Sequence, residues 1–174
     1  RWQSSEAAQA SALYDELSRV VVARDGARVD RVFADMKDKY ASTTFGHQGG
    51  LLAARAYVDL GRPDQAKAAL NWVIEKSSDA GYQAIAKLRL AAVLAEAKSH
   101  DDALAALKGE FPAEFAGLAA DRRGDVLMAQ GKKAEARAEY EAAYKKMDER
   151  TEYRRLVEIK LNALGVDPAA EGKK

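Results

Sequence analysis

Apolar residues recur at every third or fourth position along most of the chain, which is the pattern of amphipathic helices. The first predicted helix runs from about Ser5 to Arg24 and ends near Asp25 and Gly26, where this pattern breaks. A second helix follows and completes one predicted hairpin at about residues 5–40. The apolar residues of the two helices are Leu13, Leu17, Val20, Val21, Val29, Val32, Phe33, Met36 and Tyr40.

Capping and turn residues divide the rest of the chain into three further hairpins. They lie at about residues 42–77, 79–108 and 113–147, and a capping helix follows at about 151–164. Pro63 is tolerated at a helix start, Thr151 is placed as an N-cap, and Gly165 ends the last helix. We expect residues 165–174 to form a flexible tail.

Two stretches of the chain share the same spacing of small and large residues. GRPDQAKAALNWVIEK begins at Gly61, and GKKAEARAEYEAAYKK begins at Gly131. Ala66, Ala103 and Ala136 are equivalent small residues, separated by 37 and then by 33 residues. These intervals bracket the period of about 34 residues of a tetratricopeptide repeat, which is a unit of helix, turn and helix.

The repeated positions follow the rules of helix packing. Antiparallel helices approach closely only where side chains are small, and large side chains fill the space beside each crossing. The pattern predicts an all-α fold of tetratricopeptide-like helical hairpins, arranged as a short right-handed superhelix with a C-terminal capping helix. The other equivalent positions are Ala54, Tyr57, Gly61, Leu70 and Val73, then Ala91, Leu94, Lys98 and Leu107, then Gly124, Leu127, Gly131, Tyr140 and Ala143.

Composition narrows the classes of partner. Lys and Arg total 28 against 27 for Asp and Glu, a net charge of +1, and the two signs alternate along the predicted helices. A nucleic-acid-binding protein would concentrate cations on one face, so we expect no nucleic-acid partner. The chain contains no cysteine, so its compartment cannot be inferred from disulfides.

No group of residues has the spacing of a catalytic, metal or cofactor site, so the sequence predicts no enzyme activity. His47 and His100 lie in separate predicted loops. We interpret His100 as a solvated residue beside a helix cap formed by Ser99 or Asp101. The glycines of FGHQGG, residues 45–50, lack the spacing of a phosphate-binding loop.

Asp121 and Asp125 form the other candidate pair for chemistry. They are one helical turn apart, as paired carboxylates would be, but such pairs are common on solvated helix faces. Arg122 and Arg123 lie beside them in the sequence. We therefore expect a solvated pair that these arginines neutralise.

The chain lacks an apolar run of the roughly 20 residues that a membrane span requires. It begins at Arg1 without a methionine, so we expect that a preceding segment has been removed. Trp2 fits an interfacial aromatic at the end of a membrane span, and an ordinary exposed tryptophan is the alternative.

Several segments resemble one family of repeat proteins. They are LRLAAVLAEAKSHDDALAAL at residues 88–107, AGLAADRRGDVLMAQGKKAEARAEYEAAY at residues 116–144, the start RWQ, and a last helix ending in IKLNAL. With these segments the chain resembles the YfgM-type ancillary subunits of the bacterial SecYEG translocon, over about residues 1–164.

The resemblance implies a single-pass protein of the bacterial inner membrane, with one transmembrane helix just before Arg1 and this domain in the periplasm. It implies association with the SecYEG translocon and with the membrane-anchored periplasmic chaperone PpiD, and a role in passing on exported client polypeptides. It also implies that the family has no enzymatic activity. The alternative is a soluble adaptor or assembly scaffold of the same fold, unrelated to the translocon.

Stacked repeats form a surface lined by their first helices, and such surfaces commonly bind peptides. The repeat register therefore predicts a partner groove on the first helices. A stack of so few repeats leaves little open groove, so the alternative is that the terminal helix of the chain fills the concave side. The predicted groove residues are Tyr14, Ser18, Leu51, Arg55, Asp59, Leu88, Asp121 and Asp125.

Overall fold

A computed structural model describes residues 2–171 of the chain, without the side chains at its two ends, so the predicted role of Trp2 lies outside the described side chains. Every regular element in this range is a helix, which confirms the all-α fold of helical hairpins. The helices are α1 (Trp2–Val22), α2 (Gly26–Lys39), α3 (Thr44–Asp59), α4 (Pro63–Lys76), α5 (Ala80–Glu96), α6 (His100–Ala106), α7 (Ala113–Ala129), α8 (Lys133–Lys146), α9 (Glu152–Ala163) and α10 (Pro168–Glu171).

Four first helices each precede a second helix in the chain, α1 before α2, α3 before α4, α5 before α6 and α7 before α8, and α9 follows. The two helices pack against each other in the pairs α1 with α2, α3 with α4 and α7 with α8. Their ends lie within three residues of the limits expected from the sequence. The second helix of the third hairpin, α6, has only 7 residues, whereas α2, α4 and α8 each have 14.

The first helices end in a common backbone turn. The residue two positions beyond the helix has a positive φ, in the left-handed region that favours glycine. We call it the turn residue of its repeat. The turn residues are Arg24 (φ 55°), Gly61 (73°), Lys98 (62°), Gly131 (77°) and Gly165 (82°), at successive intervals of 37, 37, 33 and 34 residues.

One hydrogen bond closes each of these turns. The backbone N–H of the next residue donates to the carbonyl five positions earlier in the helix, which is the arrangement of a Schellman motif. Because the bond recurs at every turn residue, the turns give a register for the whole described chain. The N···O distances are 3.1 Å for Asp25 to Val20, 2.8 Å for Arg62 to Tyr57, 2.9 Å for Ser99 to Leu94, 2.9 Å for Lys132 to Leu127 and 3.0 Å for Val166 to Leu161.

The same register includes α9, which therefore has the position of a first helix in a fifth repeat. Its turn residue Gly165 is followed by Pro168 at the start of α10, much as Gly61 is followed by Pro63 at the start of α4. Val157 and Leu161 are buried among α7 and α8 residues, so α9 also closes the core as the capping helix was expected to.

The expected flexible tail differs from the structure at its start. Val166 is buried in the same apolar cluster as Val157 and Leu161, and α10 begins two residues later. The packed chain therefore continues beyond Gly165. Residues 172–174 lie outside the described range.

The chain divides into two compact units, Arg1–Val93 and Leu94–Lys174, and the boundary falls inside α5. We call them unit 1 and unit 2. In unit 1, α3 packs against α1, α2 and α4. Two glycines of FGHQGG make these contacts close, because a Cβ on Gly49 would collide with Met36 and one on Gly50 would collide with Val73. The glycines therefore serve helix packing.

His47 also belongs to this packing, since it lies inside α3 and not in a loop as expected. Its side chain is buried, its Nε2 lies 2.8 Å from the carbonyl oxygen of Ala41, and its ring stands 6.0 Å from that of Trp72. His47 thus anchors the start of α3 to the preceding turn.

Unit 2 is built on α7 and α8, with α9 packed against α8. Gly124 allows the ring of Tyr140 to lie directly on α7, because a Cβ at this position would stand 2.5 Å from the ring. His100 is the first residue of α6 and is partly buried, and Ser99 holds the N-cap position without a side-chain hydrogen bond. The expectation of a solvated histidine beside a side-chain cap is wrong at this turn.

Candidate interaction surface

The turn residues define one face on every first helix. We call the positions 13, 10 and 6 residues before the turn residue the leading face of that helix. Seven of the eight predicted groove residues lie at the positions 10 and 6 before a turn residue, and Asp59 lies two before Gly61. The predicted groove therefore corresponds to one repeated face, which is described separately for each unit.

In unit 1, the leading face of α1 is partly covered by α3. The ring of Tyr14 lies 6.2 Å from that of Phe45, and the Ser18 hydroxyl donates to the backbone oxygen of Tyr14 at 3.1 Å. Both predicted residues are half-buried. Tyr14 contributes to the contact between two consecutive first helices, whereas the hydrogen bond of Ser18 stays within α1.

The leading face of α3 is covered at one end and open at the other. Gln48 donates from Nε2 to the hydroxyl of Tyr82 on α5 at 2.7 Å, and Leu51 is buried. Leu88 on α5 is half-buried. Arg55, by contrast, is exposed. The open part of the face in unit 1 is thus its end nearest the turn.

Asp59, Arg55 and Arg89 are charged residues of this open end. The carbonyl oxygen of Asp59 accepts a hydrogen bond from Arg24 Nη2 at 3.2 Å, while its side chain is exposed. The pKa of the Arg89 guanidinium is lowered, first by desolvation and then by repulsion from Arg55. The guanidinium of Arg55 therefore disfavours the charged form of Arg89 on the next first helix.

In unit 2, Asp121 on the leading face of α7 is 0% exposed. Its carboxylate accepts a hydrogen bond from the Tyr153 hydroxyl at 2.7 Å. It also forms an ion pair with Lys160 Nζ at 2.9 Å. Both partners belong to α9. A peptide could reach Asp121 only by displacing that helix, so Asp121 is removed from the predicted contact residues.

Asp125, one turn further along α7, shares the same lysine. Its carboxylate lies 3.0 Å from Lys160 Nζ and accepts a hydrogen bond from the Tyr140 hydroxyl at 2.7 Å. The pKa values of Tyr140 and Tyr153 are raised, mainly by burial and then by their hydrogen bonds to Asp125 and Asp121. Both hydroxyls therefore stay protonated and donate.

The expected solvated pair neutralised by neighbouring arginines is wrong for these aspartates. Arg122 lies 3.8 Å from Asp125, which is a weak contact, and Arg123 turns away to Glu139 at 2.9 Å. Lys160, 39 residues further along the chain than Asp121, supplies the charge. α9 also carries Glu152, Arg154, Arg155 and Glu158, so no local signal in the sequence marks Lys160 as the partner of these aspartates.

The described residues also bear on metal binding and on membrane insertion. No cluster of three or more His, Asp or Glu side chains is placed to hold a metal ion there. Among the helices of residues 2–171, none combines the length and apolar character that crossing a bilayer requires. The geometry described so far is that of repeat packing and of a partly open helical face.

These features define a helical-repeat protein of the tetratricopeptide class. The chain belongs to the tetratricopeptide repeat-like domain family, whose model matches residues 1–166. This confirms the repeat class that the spacing of small residues predicts.

Two curated relatives are similar to most of the chain, and both are named ancillary SecYEG translocon subunit. The one from Neisseria gonorrhoeae is 35% identical over 136 residues, which is 78% of this chain and 65% of the relative. The one from Escherichia coli K12 is 33% identical over 135 residues, which is 74% of this chain and 64% of the relative. The resemblance to these subunits is confirmed, and the chain spans somewhat less than two thirds of their length.

Proposed function

We propose that this chain is a protein-interaction domain that associates with the SecYEG translocon during protein export. The observation that carries the proposal is the similarity of about three quarters of the chain to two proteins named as ancillary subunits of that translocon. Helical-repeat domains typically bind proteins through the faces of their stacked helices. We infer an interaction role without catalysis.

We further propose that one membrane span precedes the domain and that the domain lies in the periplasm of a bacterial inner-membrane protein. The chaperone PpiD and exported client polypeptides are its proposed further partners. These points follow from what the family resemblance implies.

Within unit 1, the proposed contact surface is the open end of the leading face, with Ser18, Arg55 and Asp59. Arg55 is exposed, and its repulsion contributes to the lowered pKa of Arg89. A carboxylate placed between two nearby guanidinium groups relieves their repulsion and forms charge-assisted hydrogen bonds. The surface therefore favours an acidic segment of a partner.

The test uses the full-length protein in inner membranes and measures how much SecYEG co-purifies with it after solubilisation. The double charge reversal Arg55→Glu/Arg89→Glu should lower recovery about fivefold, the effect of about 1 kcal/mol. Lys76→Glu, an exposed charge reversal on the second helix α4, is the matched control and should change nothing.

The outcomes separate the parts of the proposal. If the unmodified protein recovers no SecYEG above a control membrane protein, the translocon association is wrong and the soluble adaptor is favoured. If SecYEG is recovered equally well with the double reversal, only the proposed contact surface is wrong. Protease should reach the domain in spheroplasts and not in inverted vesicles if it lies in the periplasm.

A further inference from the structure

In the described chain, the next first helix of the same unit covers at least part of the leading face of the first helix before it. In unit 1, α3 places Phe45 6.2 Å from Tyr14 of α1, between ring centres. Next, α5 brings the Tyr82 hydroxyl to Gln48 of α3 at 2.7 Å. The covering helix runs parallel to the covered one, since both are first helices of consecutive repeats.

Unit 2 repeats this arrangement with α9 on α7. The Tyr153 hydroxyl lies 2.7 Å from Asp121, and Lys160 Nζ lies 3.0 Å from Asp125. Phe45, Tyr82 and Tyr153 are the second or third residues of α3, α5 and α9. In all three cases an aromatic side chain in the first turn of the covering helix reaches the leading face.

The leading face of α9 itself is exposed. By the register of Gly165 its positions are Glu152, Arg155 and Ile159, and all three are exposed. Ile159 is 53% exposed, and Leu156 beside it is 50% exposed. Exposed apolar side chains that lie side by side form a patch of the kind at which a partner packs, whereas single exposed apolar residues are common on protein surfaces.

The exposed stripe has the spacing of a helix–helix seam. Glu152, Leu156, Ile159 and Ala163 follow one another at steps of four, three and four residues. This is the heptad spacing at which one helix packs along another. An extended peptide has no reason to match it, because its side chains alternate with a period of two.

We propose that the leading face of α9 binds an α-helix of a partner protein, which packs beside α9 as a further first helix. The partner helix presents an aromatic side chain in its first turn, apolar side chains against Leu156 and Ile159, and a carboxylate against Arg155. It is an amphipathic helix of a protein other than this chain.

The size of the face favours a partner helix over a second copy. A helix of 12 residues is about 18 Å long, and its two exposed apolar side chains offer far less than the roughly 1,200 Å² of a stable interface. A dimer held only by two copies of α9 would therefore be weak. A partner that has further contacts elsewhere needs only one helix here.

The test places a photo-crosslinking amino acid at Ile159 of the full-length protein in native membranes. Val22, an apolar residue of unit 1 that is 85% exposed, is the control position. We expect an adduct from position 159 that is at least about tenfold stronger than from position 22. Mass spectrometry should map the linked segment to one amphipathic helix with an aromatic residue near its start.

A substitution distinguishes specific packing from proximity. Leu156→Glu should lower the adduct from position 159 about tenfold, while the thermal midpoint stays unchanged because Leu156 is half exposed. The exposed Val58→Glu in unit 1, at 49% exposure, should leave the adduct intact.

Three results would overturn the proposal. They are linkage to a second copy of this chain, linkage within the same polypeptide, and an adduct that spreads over many extended segments of unrelated proteins. A mapped partner helix outside the translocon would support this proposal while contradicting the proposed function, so the two fail separately.

Discussion

Arg55 and Asp125 occupy the same repeat position, six residues before a turn residue, but their surroundings differ in the two units. Arg55 in unit 1 is exposed and near another cation. Asp125 in unit 2 shares Lys160 with the buried Asp121 and accepts a hydrogen bond from Tyr140. The repeat register therefore assigns a residue to a face of its helix. Whether that residue is exposed or buried depends on the first helix that packs next to it.

The largest expected effect comes from removing the shared lysine of unit 2. Lys160→Met leaves the carboxylate of Asp121 buried and without its cation, which should lower the free energy of unfolding by about 3 kcal/mol. Arg55→Met at the open position of unit 1 should change it by less than about 0.5 kcal/mol. Urea denaturation followed by circular dichroism measures both.

A second substitution tests whether the unpaired charge of Asp121 causes the destabilisation. Lys160→Met combined with Asp121→Leu removes both charges and should recover part of the loss, since no uncompensated buried charge remains. If the double variant loses as much free energy of unfolding as Lys160→Met alone, packing and not charge dominates this contact.

The two units also differ in the residues at which the first and second helices of a repeat cross. Gly124 in unit 2 faces the ring of Tyr140, whereas the equivalent residues in unit 1 are Ala54 and Leu70. Gly124→Ala should destabilise by about 1–3 kcal/mol, because its Cβ overlaps the ring. The pair Gly124→Ala/Tyr140→Leu should be less destabilised than the sum of its single changes, as thermal denaturation would show. Strict additivity would contradict the packing described for Gly124.

Alkaline pH should weaken unit 2 more than unit 1. The pKa values of Tyr140 and Tyr153 in unit 2 and of Tyr57 in unit 1 are raised in the folded protein, mainly by burial. Above about pH 10 an unfolded tyrosine loses its proton while the folded one keeps it, so stability falls as pH rises.

Urea midpoints measured between pH 9 and pH 11.5, about the range of unfolded tyrosine ionisation, test this. Tyr140→Phe/Tyr153→Phe should flatten the decrease more than Tyr57→Phe does. An equal pH dependence in all three proteins would contradict it.

The smallest expected effect lies at the turns. Lys98 holds a left-handed conformation with φ 62°, whereas Gly131 holds the equivalent position in the next repeat. Lys98→Gly should stabilise the fold by about 0.5 kcal/mol, because relief of backbone strain slightly exceeds the extra entropy of the unfolded chain. Arg24→Gly, at φ 55°, is the parallel variant, and a shift of the thermal midpoint to lower temperature in both would contradict the shared turn.

The repeats were predictable because their signals are local. Ala66, Ala103 and Ala136 mark helix crossings by size alone, and all three are buried in the structure. Gly61 and Gly131 mark turns because glycine favours the left-handed region. The repeat spacing also aligns Lys98 with these glycines, but a residue with a Cβ gives no signal for the left-handed region, and the same turn at Arg24 was not predicted.

The surface was only partly predictable because exposure depends on distant residues. The register placed Asp121 and Arg55 on equivalent sides of their helices, but the partners of Asp121 come from α9. His47 was misplaced because the glycines around it resemble a loop, although they allow α3 to pack closely. Such contacts join residues far apart in sequence and leave no periodic pattern.

The open end of the unit 1 leading face is the proposed contact with the translocon. Hydrogen–deuterium exchange of the full-length protein, with and without purified SecYEG in nanodiscs, tests it most directly. We predict slower exchange in α3 and α5 around Arg55 and Arg89, and unchanged exchange in α7 around Asp121. Protection confined to α7, or no protection in α3 and α5 while the complex is intact, would contradict the claim.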